Sequence, residues 1–140
     1  MLAKFAISML FVIGISSIAR ATNESDLIDK GLKGVTGQEI HDMYVGKTCN
    51  STVFNKDGDI VSNGTNIYSV DGTVTKTNAK VGEAPETRNR KWWMDGSKFC
   101  ETLYGNDEPW CGAHEVFYRL DDKLYGFDKT GWTKFEIVCQ

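Results

Sequence analysis

Three features of the sequence predict an all-β, mainly antiparallel fold with one short N-terminal helix. Asp57-Gly58, Asn63-Gly64, Asp71-Gly72 and Asp95-Gly96 are dipeptides suited to tight hairpins, whose central residues need positive φ. From Lys47 onward, apolar and polar residues alternate with the period of a strand. No intervening stretch is long enough for the helix of a parallel crossover. About eight strands in sequential hairpins close most simply as an up-and-down, lipocalin-like meander barrel, because closure removes exposed edges. A two-sheet β-sandwich is the alternative.

Taken in order, residues 1–21 read as a secretory signal peptide: Lys4 is the positive start, Phe5 to Ile18 the apolar run, and Ala19-Arg20-Ala21 the small-x-small cleavage site. The apolar run is about fourteen residues, short of the roughly twenty that span a bilayer. The product is expected to be periplasmic or secreted, cleaved after Ala21, without membrane insertion. Residues 22–35 are polar and weakly patterned, which predicts a flexible lead-in. Thr36-Gly37-Gln38-Glu39 has the form of a capping box, Ile40, Met43 and Tyr44 share one helical face, and Gly46 is placed to end the helix. Residues 36–140 then form a single β-barrel domain. Strands are expected near 48–55, 59–62, 65–70, 73–79, 90–94, 97–104, 110–120, 123–127 and 132–139, with 80–89 as the one long, mobile connection.

Alternation assigns faces. Phe99 and Leu103 share a side opposite Lys98 and Thr102, and Trp110, Val116, Tyr118 and Leu120 share a side opposite Glu115 and Arg119, so both apolar sets are expected in the core. Cys100 and Cys111 then fall together on the other face of one hairpin, while Cys49 and Cys139 lie in the first and last strands, which are neighbours in a closed barrel. The expected disulfides are Cys100–Cys111 and Cys49–Cys139, favoured over the other two pairings. In loop-entropy terms they are worth about 3 and about 4.5 kcal/mol, less any strain. No two cysteines have the spacing of a structural zinc site, so no metal or other cofactor is expected.

The motif order Gly46-Lys47-Thr48, Tyr68 to Gly72, Trp92-Trp93-Met94-Asp95-Gly96, Phe99-Cys100, Trp110-Cys111 and Phe117-Tyr118 resembles the small exported proteobacterial proteins grouped as domain of unknown function 995. The resemblance covers about residues 38–125. It implies a signal peptide, a β-rich fold and a Cys100–Cys111 pair. The family has no established activity, so no catalytic residue follows from it.

The chain has 140 residues, room for one domain, and a net charge of −3, without the basic field that nucleic-acid binders rely on. Loss of residues 1–21 removes Lys4 and Arg20 and brings the charge to −5. Gly-x-Ser-x-Gly, HExxH, P-loop and GxGxxG motifs are all missing from the sequence. His41, on the helix, reads as a solvated side chain. Parity places His114 among Trp110, Val116 and Tyr118 with Glu101 across the hairpin, where the acid and imidazole could satisfy each other. Glu101, Trp110, His114 and Tyr118 are therefore the candidate ligand-binding residues. Asn23, Asn50 and Asn63 begin glycosylation patterns that matter only in a eukaryotic secretory route. The leading expectation is a monomeric, non-catalytic binding module for a small molecule or an envelope protein partner. The alternative is a small periplasmic hydrolase pairing Glu101 with Asp107 or Glu108, which needs two carboxylates about 5–10 Å apart.

Overall fold

The structure is a computed structural model, and it describes residues 22–102, 109–112, 115–128 and 134–140. Two helices, α1 (Glu24–Asp29) and α2 (Gly37–Tyr44), precede nine strands: β1 (Lys47–Phe54), β2 (Ile60–Tyr68), β3 (Thr73–Lys80), β4 (Glu86–Asp95), β5 (Lys98–Thr102), β6 (Pro109–Trp110), β7 (Glu115–Leu120), β8 (Lys123–Asp128) and β9 (Lys134–Cys139). Every ladder is antiparallel, as the hairpin dipeptides predicted.

The strands form one sheet in the order β6-β5-β4-β3-β2-β1-β9-β8-β7, curled into a half-barrel. The first and last strands are neighbours, running from Cys49↔Cys139 to Phe54↔Lys134. The meander is therefore interrupted only between β6 and β7, the two edges of the sheet. A single sheet replaces the two of the sandwich alternative. Pro109 has no N–H for a ladder and stands in the short edge strand β6, where that donor is not needed. The edge of β7 is partly covered, since the Val35 N–H donates to the Phe117 carbonyl (2.8 Å) and Gly34 bridges to Tyr118.

The capping box forms as expected: the Glu39 N–H donates to the Thr36 hydroxyl at 3.2 Å and the Thr36 N–H to Glu39 Oε2 at 2.6 Å. Beyond the helix, Gly46 takes φ 76° and turns the chain into β1. Gly37 lets α2 lie directly on the β4–β5 turn, because a Cβ there would collide with the Ser97 carbonyl and the Phe99 amide. Met43 and Tyr44 thereby join Cys49, Tyr68, Val74, Phe99, Leu124 and Ile137 in the main core. The rings pack tightly, with Tyr44 stacked on Tyr68 at 4.6 Å and Trp92 on Phe99 at 5.6 Å. One end of the half-barrel is plugged by this cluster.

Four local expectations are corrected. Residues 22–35 hold α1, whose Leu27 is fully buried against Tyr118, Tyr125 and Phe127 on the convex face. Asn63-Gly64 lies inside β2 rather than in a hairpin turn, and the Asn78 side chain of β3 fills the place that a Cβ at Gly64 would take. The long connection 80–89 shrinks to residues 81–85, since β4 begins at Glu86. The single strand 110–120 is two, β6 and β7, so the parity counted across the break fails. Val116 is 42% exposed rather than core, Phe117 points into the concave face over Gly126, and Tyr118 is buried as expected but in the second cluster with Leu27, away from the cavity. Leu103 lies outside the described residues.

Candidate functional site

Alternation along β1 to β5 sends Ser51 and Val53, Ser62 and Asn66, Lys76 and Asn78, Arg88 and Arg90, and Phe99 and Glu101 to the concave face. All of these except Arg88 surround a cavity of about 140 Å³ that is also lined by Tyr44, Tyr68, Trp110, Phe117, Phe135 and Ile137. α2 and its aromatic cluster close the cavity at one end. At the other end a second hollow shares Lys76, Asn78 and Arg90 and is rimmed by Lys80, Glu83, Pro85 and Glu86.

Glu101 is the polar centre. Its side chain is nearly buried, Oε1 accepts from Lys76 Nζ at 2.8 Å, and Oε2 accepts from the Tyr68 hydroxyl at 3.3 Å. A buried carboxylate persists only when paired in this way. The Lys76 ammonium also stands 5.9 Å from the centre of the Tyr68 ring. Arg90 crosses beside this group, donating Nη1 to the Thr102 carbonyl at 2.9 Å. Asn66 is 7% exposed, and its Oδ1 accepts no hydrogen bond from any described residue.

Two of the four sequence-predicted ligand residues come together: Glu101 and Trp110 stand opposite each other in the β5–β6 register and line one cavity. Tyr118 does not join them. It lies under α1 on the convex face and donates its hydroxyl to Glu24 Oε1 at 3.0 Å. Burial pushes the Tyr118 hydroxyl above its usual pKa, and the contact with Glu24 pushes the same way. His114, Asp107 and Glu108 lie outside the described residues. The residues missed from sequence are Lys76, Asn66, Arg90 and Phe117. On a solvated strand the first three would be ordinary polar residues, and their alternation carries no mark that this face is inside.

Both expected disulfides are present, Cys49–Cys139 and Cys100–Cys111, with no free cysteine among the described residues. This is the chemistry of an oxidising, extracytoplasmic compartment. Asp95, Cys100 and Cys111 are the one metal-like cluster among the described residues, and its two sulfurs are bonded to each other rather than available as thiolates. No helix among the described residues is long and apolar enough to cross a membrane.

Fold and cavity together define a class of protein, a disulfide-stapled, helix-plugged β half-barrel with a polar-centred cavity. No protein-family model matches the chain, and neither the curated proteins nor the solved structures return a match.

Proposed function

We propose that this is an exported binding module that holds a small molecule in the concave cavity. The observation that carries this reading is the cavity of about 140 Å³, lined both by aromatic rings and by Asn66, Lys76 and Glu101. Pockets that bind small molecules combine an apolar body with a few placed polar groups in this way. Its plugged end is fixed by the α2 contact through Gly37, so the cavity is built into the fold. Export rests on residues 1–21, with their apolar run and Ala19-Arg20-Ala21 site, and fits the two disulfides. Membership of the domain of unknown function 995 proteins belongs to this proposal and rests on the shared motif order.

Amide-resolved NMR of the mature protein against a library of small fragments tests it. Binding should shift the signals of Ser51, Asn66, Tyr68 and Trp110, and a cavity-filling Ser51→Phe variant that keeps the wild-type spectrum elsewhere should abolish those shifts. Shifts confined to the convex face, or none across the library, would end this reading.

A further inference from the structure

The cavity combines three observations that narrow the ligand, and the narrower assignment rests on the binding reading of this same site. Its volume is about 140 Å³, close to the roughly 150 Å³ of an engineered apolar cavity that holds one benzene. The rings of Tyr68, Phe99, Trp110, Phe117 and Phe135 line it, and an aromatic lining suits a planar ring. The Lys76 ammonium and the Glu101 carboxylate already face each other at 2.8 Å, and Arg90 Nη1 already donates to the Thr102 carbonyl, so the charges lining the cavity are engaged. Asn66 Oδ1 is the acceptor that stands out, on a side chain more than nine-tenths buried and lining the same space, with no donor among the described residues.

A buried carbonyl oxygen that has given up water and gained no donor is costly, and folds retain such atoms where something else supplies the hydrogen. Asn66 is held in mid-strand, opposite Cys49 on β1 and Lys76 on β3, so its backbone cannot turn the amide outward without breaking two ladders. We infer that the cavity takes a single-ring aromatic molecule carrying one hydroxyl or N–H group, with the ring among the aromatic walls and the donor on Asn66 Oδ1. The ligand is neutral, and its recognition is one hydrogen bond plus shape.

Phenol and toluene are the probes, because they share a shape and differ by a hydroxyl in place of a methyl. Calorimetric titration of the full mature chain should give phenol at least a ten-fold lower Kd than toluene, a difference of about 1.4 kcal/mol. In Asn66→Leu the preference should vanish, with toluene binding kept; Asn66→Ala serves if the leucine variant does not fold. Xenon NMR on the wild type separates the existence of the cavity from its choice of ligand. If xenon enters but phenol binds no better than toluene, a water already satisfies Asn66 and the hydrogen-bond assignment is overturned while the cavity reading stands. If xenon is excluded and neither probe binds, both fall.

Discussion

Lys76 on β3 and Glu101 on β5 meet at 2.8 Å across the concave face, with β4 between their strands and neither side chain more than 14% exposed. The pair is the electrostatic centre of the cavity, and it joins residues 25 apart in sequence. Removing one member strands the other as a buried charge. We expect Lys76→Met to cost about 2–4 kcal/mol in denaturant melts, and the double variant Lys76→Met with Glu101→Leu to recover much of it. Additive losses in that cycle would show that the two side chains are solvated separately.

The convex cluster predicts a response to alkali. The folded pKa of Tyr118 is raised, so its neutral hydroxyl stabilises the fold at pH values below the usual tyrosine pKa of about 10. That contribution is lost as pH rises through the higher folded value. Lys123, raised by its contact with Glu136, loses its contribution over the same alkaline direction. Stability measured from about pH 8 to about pH 11 should fall more steeply in wild type than in Tyr118→Phe. Parallel curves would count against the Glu24 contact.

Leu27 is the test of whether α1 belongs to the fold. It is completely buried beneath Tyr118, Tyr125 and Phe127, so Leu27→Ala should cost about 2–3 kcal/mol by lost burial and cavity formation. The same variant should speed proteolysis within residues 22–33 far more than within the strands. Unchanged melting and unchanged cleavage would mean that α1 is not docked in solution.

At the plugged end, Thr36→Ala should destabilise by about 1 kcal/mol through loss of the helix cap. Donation from the Thr36 backbone holds the Glu39 carboxyl below its usual range. Its contribution is therefore present above the ordinary carboxylate pKa and is lost as pH falls through the folded value. Glu39→Gln should flatten part of the acid loss of stability; a profile identical to wild type would refute the capping role.

How much of the molecule is legible in the sequence depends on how local each signal is. Thr36 and Glu39 are three residues apart and mark the helix without help. Asp57-Gly58, Asp71-Gly72 and Asp95-Gly96 sit at turns, and Cys49 faces Cys139 because strand order alone brings the chain ends together. Asn63-Gly64 misleads because a dipeptide that suits a turn also suits a strand crowded by Asn78, and only the β2–β3 register distinguishes them. Tyr118 misleads because both faces of β7 are apolar, one toward the cavity and one toward α1. Parity marks Glu101 as a polar residue on an apolar face, but nothing in the chain marks Lys76 as its partner. A contact that skips a strand depends on how sharply the sheet curls, and no spacing encodes that.

The two disulfides also differ in when they can form. Cys100 and Cys111 are 11 residues apart and meet by local encounter, whereas Cys49 and Cys139 are separated by 90 and meet only after β1 and β9 have found their register. Contacts of such long range come late because loop-closure entropy must be overcome first. During oxidative maturation the short bridge therefore closes on a chain still searching, and the long one seals the β1–β9 seam after the search is over. A thiol trapped early would be found at Cys49 and Cys139, so oxidation of that pair dates the moment at which the sheet becomes continuous.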